Sequence, residues 1–472
     1  MSIQSAGSIS PAKRRNSPLT LTLPLLLAAP LLAYGSSIDG AEPGGGKKNI
    51  VYVQTNDYTP NQNSIIAYGA NNGNACLQEI GRYSTGGTGL FNFDDRIGPD
   101  DHAQEVVIDR ANRRLLTVNG GSDSIAVFDI KPNGGLAPVS GSPFASNGMQ
   151  PVSIGLAANG VVYAVNQAGD PTRLPTTALP NYTGFRTQAD GSLAPIPGST
   201  FNLPPLSYPT QALTRPDGDV LFGDPFLGRP YAPQLFPFLP AAGSFLDAFK
   251  ILPSGLLHEA PGSPVTPDAG AQAAPGIPNS RYVLGMWLHP TENIVYVTYV
   301  VTNKLAVYTY DRNTGAMTFV RDVAVGGPGF PDAISVCWVV VSPDGRYLYT
   351  SDAGSNAISV FDVSGSKATS PVLVQVFPLK TPAGAGGTIP PAPIPGVFNS
   401  PTVPFQIDTD PEGNFLYAVA HELVLNNSYP QGNVVHSLKI DKRTGFLSEP
   451  SCSPVQINGI PAGAHPQGVA AL

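Results

Sequence analysis

A single strand motif recurs seven times along this chain, and a recurring strand limits the possible folds more than any composition does. The copies are VYVQT from Val51, LLTVN from Leu115, VYAVN from Val162, VLFGD from Val220, VYVTY from Val295, LYTSD from Leu348 and LYAVA from Leu416. Two of them continue into NGGSDSIAVFDI (119–130) and DAGSNAISVFDV (352–363), which align without a gap. A turn of the Pro-Asp-Gly kind precedes several copies, as at Pro216-Asp217-Gly218, Pro343-Asp344-Gly345 and Pro411-Glu412-Gly413. A shorter apolar strand lies before each turn, and a Gly-containing polar turn after the third strand leads into a fourth. Short alternating runs joined by tight turns specify four antiparallel strands per unit.

One such sheet cannot bury both of its faces, whereas sheets set radially bury one another. The expected fold is therefore all-β, a seven-bladed propeller spanning residues 49–472. The first unit has no inner strand of its own, because Val51 follows directly on a Gly-rich stretch. The terminal HPQGVAAL (465–472) has the pattern of a spare inner strand and is expected to complete blade one and close the ring.

Composition supports this and excludes alternatives. The 51 glycines and 50 prolines among 472 residues suit turns and oppose helices, while 42% apolar content opposes disorder. The formal charge is −7 and no basic stripe follows the N-terminus, so nucleic acid is not an expected partner. Lys13, Arg14 and Arg15 precede an apolar run over 19–34 and then small residues. That order reads as a cleaved signal peptide over 1–35, with a flexible linker over 36–48. The mature protein is expected to be exported to the periplasm or beyond, to span no membrane, and to act as a monomer on a small-molecule ligand. Cys337 sits in an apolar run and reads as a buried thiol; Cys76 and Cys452 either pair or stay apart.

The LYTSDAGSNAISVFDV stretch, the Pro-Asp-Gly-Arg-Tyr turn at 343–347 and the terminal PQGVA resemble the YVTN-type propellers of the lactonase family. That family includes propellers similar to 6-phosphogluconolactonase and carboxymuconate cyclase, and the resemblance covers nearly all of the chain after the linker. It implies hydrolysis or binding of a small cyclic or acidic, lactone-type compound. It also implies an Arg-His pair on one inner strand and a Glu after the next strand. In the comparable stretch, RYVLGMWLHP (281–290), Gly285 holds the His position, and Val300 holds the Glu position.

Candidate chemistry gathers where the inner strands start. Gln104, Gln211, Gln406 and Gln467 fall in matching places there, either as bonds to channel backbone or as ligand donors. His102, His465 and His421 belong to blades two, one and seven, which are neighbours, so their imidazoles are expected to share one sector. The loop before His102 adds Asp94, Asp95, Asp100 and Asp101, with Arg96 as counter-charge and Glu105 following. Imidazole beside carboxylate suits general acid–base work, for which His102, His465, Asp101 and Arg96 are the expected catalytic residues. Gln104, Gln211, Gln406, Gln467 and His421 are the expected ligand contacts. No cofactor is required by any motif, although an acidic loop can hold a divalent ion such as calcium. His289 and His258 read as structural, and Trp287 and Trp338 as core. A non-catalytic binding or cell-surface scaffold is the competing expectation.

Overall fold

A computed structural model describes residues 49–70, 75–90, 102–173, 176–205, 207–225, 244–272, 281–331, 333, 335–382, 400–422, 430–461 and 463–472. The signal and linker segments, Arg96, Asp101, the other loop aspartates and the Pro-rich stretches at 230–240 and 383–396 lie outside the described residues.

The described strands form seven antiparallel sheets, each a blade with four successive strands running outward from a central channel, and in three of them a fifth short strand also pairs with the third. The inner strands of blades two to seven are Val106–Asp109, Pro151–Ala157, Pro209–Thr214, Val283–Leu288, Val336–Val341 and Thr402–Thr409. Blade one takes its inner strand from the other end of the chain. Val469–Ala471 pairs antiparallel with Asn49–Gln54, placing Val53 opposite Val469 and Val51 opposite Ala471. The flanking bonds are Gln54 N–H to the Gly468 carbonyl at 3.0 Å and Leu472 N–H to the Ile50 carbonyl at 2.8 Å. The C-terminal strand thus closes the ring as its sequence pattern requires. Cys76 and Cys452 pair across the same seam, joining blade one to blade seven with a Cα–Cα separation of 5.5 Å.

The recurrent motif has a packing reason. Its second residue is a tyrosine in five blades, and Tyr52, Tyr163, Tyr296, Tyr349 and Tyr417 are all fully buried. Tyr52 OH donates to the Gly134 carbonyl, Tyr163 OH to that of Gly255 and Tyr349 OH to that of Gly445, each in the third-to-fourth-strand turn of the next blade. Those three glycines have φ of 83°, 85° and 74°, a conformation that glycine adopts without steric cost. Each of these three tyrosines therefore satisfies its hydroxyl while stapling neighbouring blades. The apolar core divides accordingly into seven wedges, one between each adjacent pair of blades, and an eighth cluster that includes Ala103, Leu284, Trp338 and Phe405.

In blades four to seven the inner strand opens with a bulge, where the register skips between Pro209 and Ala212, Val283 and Met286, Val336 and Val339, and Pro404 and Ile407. Bulges re-aim side chains, and these four surround one end of the channel.

Candidate functional site

The bulges divide the four glutamines into two pairs. Gln211 and Gln406 each directly precede the first residue paired after the bulge, Ala212 and Ile407. Glu105 and Gly468 hold that place in blades two and one, ahead of Val106 and Val469. Gln104 and Gln467 therefore sit one position earlier, and the four do not form a single ring. The extra residue of each bulge, invisible to a count along the chain, produces the offset.

Three of the four amides are engaged with protein groups. Gln211 Oε1 accepts from Met286 N–H at 2.9 Å, and its Nε2 donates to the Met286 carbonyl at 3.0 Å and to Gln104 Oε1 at 2.8 Å. Gln406 Nε2 donates to the His102 carbonyl at 3.0 Å. Gln467 differs: it is fully buried, and neither amide atom has a partner among the described residues.

Residues 102–104 run across the channel end. The His102 carbonyl also accepts from Trp338 Nε1 at 2.5 Å, and Ala103 N–H donates to the Thr210 carbonyl at 3.1 Å. Blades four, six and seven thus hold one segment of blade two. Gln104 has φ of 62° there, in a region that non-glycine residues occupy only when their surroundings hold them.

His102 Nδ1 lies 2.8 Å from Glu105 Oε1, with both side chains buried. That contact assigns the Nδ1 proton toward the carboxylate and makes Nε2 the basic nitrogen. Glu105 Oε2 has no partner among the described residues. Sequence reasoning named Glu105 only as part of an acidic loop; its spacing of three from His102 was the available signal.

His421 and His465 do come together, their ring centroids 4.4 Å apart, with Phe405 packed edge-on at 3.8 Å from His421. Burial, and then the neighbouring His465, hold His421 well below the ordinary imidazole range. Burial alone lowers His465 to about 4. Both rings are therefore neutral at neutral pH, and each offers one donor and one acceptor rather than a positive charge. His421 makes no hydrogen bond through either ring nitrogen among the described residues.

A second His–Glu pair has no signature in the sequence. His436 Nδ1 is 2.8 Å from Glu449 Oε1, inside blade seven and away from the channel. No local motif announces it, because the two residues meet only through strand pairing. His436 lies on the third strand of its blade, whereas His102 lies just ahead of an inner strand.

The position that the family resemblance assigns to histidine is sterically closed. A Cβ on Gly285 would lie 2.4 Å from the Cys337 carbonyl oxygen and 2.9 Å from the Trp338 Cα. Arg281 Nε donates to the Asp268 carbonyl at 3.1 Å. Cys337 is a buried free thiol, as its apolar surroundings suggested. His289 is structural: its Nε2 contacts the Gly345 carbonyl at 3.0 Å and its Nδ1 accepts from Glu292 N–H at 3.0 Å. Trp287 and Trp338 do more than fill core, because both line the open channel.

That channel is a cavity of about 480 Å³, entered from the face bearing the Pro-Asp-Gly turns and floored by Ala103 and Gln104. His102, His421, His465 and Gln467 are not among its lining residues. Among the described residues, no group of three or more His, Cys, Asp or Glu side chains is arranged to hold a metal ion. The acidic loop that suggested calcium lies outside the described residues. No described helix is long and apolar enough to cross a membrane.

Seven antiparallel blades and ring closure by the last strand define the class: a seven-bladed β-propeller. Residues 285–381 match the family described as lactonase, 7-bladed beta-propeller. A 6-phosphogluconolactonase from Pectobacterium carotovorum is 29% identical over 79 residues, 17% of this chain and 24% of that protein. The match thus spans about a quarter of that relative's length. The periplasmic gluconolactonase of Pseudomonas aeruginosa superposes with a TM-score of 0.60 at 15% identity, over 90% of this chain and 99% of the other. A putative 6-phosphogluconolactonase from Bacteroides fragilis gives 0.57 at 14% identity, over 90% and 98%. At such identities these structures speak for the fold alone.

Proposed function

We propose that this chain is an exported lactonase-type propeller that hydrolyses a small lactone at the channel end where the inner strands begin. The observation that carries the reading is the 2.8 Å contact between His102 Nδ1 and Glu105 Oε1, on a segment that three other blades hold in place. Glu105 orients the imidazole and stabilises the imidazolium that forms, while Nε2 acts as general base. Nε2 takes a proton from water as the water oxygen attacks the lactone carbonyl. The tetrahedral intermediate then expels the ring oxygen, which receives that proton from the imidazolium, giving the open hydroxy acid. Gln467, buried and with its amide nitrogen unengaged among the described residues, is assigned as donor to the oxyanion. His465 and His421, neutral by burial, supply donors and acceptors for ring hydroxyls. Export is supported by the N-terminal charge-then-apolar pattern and by a disulfide that an oxidising compartment would maintain.

The test is a lactone panel, including glucono-δ-lactone, followed by pH-stat with His102→Ala and Glu105→Gln. General-base loss predicts a fall of roughly 10²–10⁴ in kcat for His102→Ala. His436→Gln, which breaks the other pair, should leave turnover intact. Turnover unchanged in His102→Ala would overturn the assignment. The depth at which His102 is buried favours a second reading, a propeller that binds without turnover. Saturable lactone binding with no ring opening would select it.

A further inference from the structure

The cavity on the turn face has no part in the reaction proposed above, yet it has the attributes of a binding site. Its volume falls within the roughly 300–1,000 Å³ usual for small-molecule pockets. Its walls are mainly apolar, with Ile108, Leu156, Leu213 and Val341 among them and the Trp287 and Trp338 side chains alongside.

Its charges are already matched within the protein. At the mouth, Arg215 donates to the carbonyls of His289 and Pro290 and lies 3.6 Å from Asp217. Arg110 donates to the Ala471 carbonyl and Ala471 N–H donates to Asp408 Oδ2 at 2.9 Å; burial pushes the Asp408 carboxyl up to about 6, with the Ala471 bond and then Arg110 opposing. A charged ligand would find each counter-charge already occupied.

The floor is where polarity remains. Met286 fixes the orientation of the Gln211 amide through both its N–H and its carbonyl. Gln211 Nε2 then fixes the Gln104 amide by donating to its oxygen, so the Gln104 nitrogen is left as a donor without a partner among the described residues. Gln406 donates its nitrogen to the His102 carbonyl, which leaves its amide oxygen as an acceptor without a partner among them. Both residues line the cavity, as does Ala103 between His102 and Gln104.

We infer that this cavity is a second binding site, separate from the His102 rim, for a small uncharged aromatic compound bearing a hydroxyl or carboxamide. The ring lies among the aliphatic wall and the two indoles, and the polar group reaches the amides of Gln104 and Gln406. The segment 102–104 forms the partition: its Ala103–Gln104 half floors this site, and its histidine serves the other.

The sequence contains two tryptophans and both line the cavity, so intrinsic fluorescence reads occupancy directly. p-Cresol titrated into the full chain should produce a saturable change in emission, with toluene binding about 10-fold more weakly for want of the polar contact. Benzoate should give no saturable change. Leu156→Phe should raise the p-cresol Kd at least about 10-fold by filling the space; Ile108→Phe serves if that variant fails to fold by circular dichroism. p-Cresol binding should persist in His102→Ala whether or not lactone turnover exists, so the two readings fail separately. No saturable change with p-cresol, unaltered affinity in a folded filling variant, or competition between p-cresol and a lactone would each overturn the second site. Equal affinities for p-cresol and toluene would overturn the role of the amides.

Discussion

Removing the Cys76–Cys452 bridge asks how much of the propeller's stability resides at one seam. The two cysteines are separated by 376 positions, so the bridge turns almost the whole propeller into a single covalent loop. In the chain-entropy model a loop of that size removes about 6 kcal/mol of unfolded-state entropy at 25 °C, while measured native bridges deliver typically 2–5 kcal/mol. Across the same seam, blade one receives its inner strand from only three paired residues, Val469–Ala471, with one flanking main-chain bond on each side. The double variant Cys76→Ser/Cys452→Ser should therefore lose roughly 2–5 kcal/mol. Guanidinium unfolding in non-reducing buffer measures this, with reduced wild type expected to match the double variant and Cys337→Ser as a control for the remaining thiol. Deleting residues 465–472 should cost more in the double variant than in the bridged protein, because the bridge then holds the two blades beside the apolar wedge that remains between them. Unfolding midpoints unchanged by reduction and by the double substitution would refute the seam argument.

Three further outcomes follow from local chemistry. Burial pushes the Asp352 carboxyl up to about 7, with the Ser359 and Thr350 hydroxyls opposing, so below that pH it keeps its proton in the fold, whereas it ionises near 4 when unfolded. Its contribution is complete below about pH 4 and is lost as pH rises through about 7, so Asp352→Asn should remove a decline of up to roughly 1.4 kcal/mol per pH unit across that window, read from urea midpoints. His465 has the opposite sign: lowered to about 4 by burial, it favours the fold above its unfolded value near 6.5 and forfeits that as pH falls toward 4. His465→Gln should flatten the acid limb of the same profile. Gly285→Ala should destabilise by roughly 1–3 kcal/mol, because its Cβ meets the main chain of blade six; a thermal scan showing no loss would place the two inner strands farther apart.

Much of the architecture was legible because its causes are local. Strand alternation, Pro-Asp-Gly turns and the recurrent buried tyrosine are written within a few residues of one another, and the orphan strand motif at 465–472 announced its own partner. The candidate site was legible in composition but not in geometry. His421 and His465 meet as expected for neighbouring blades, whereas His102 takes Glu105 as its partner, and Gln104 and Gln467 stand out of register with Gln211 and Gln406. The sequence left the pairing of Cys76 with Cys452 open, because nothing near either cysteine specifies the other.

What the sequence determined by itself, then, is the blade: its four strands, its turns, its number and the strand that closes the ring. Only the tertiary structure decided what happens where blades meet. The His102 carbonyl is held by Trp338, 236 positions away, and by Gln406, 304 positions away. The bulges that aim those side chains belong to strand pairing rather than to any motif. The partition across the channel, and hence a rim on one side and an open cavity on the other, arises from contacts among four blades. No stretch of chain short enough to show a pattern contains them.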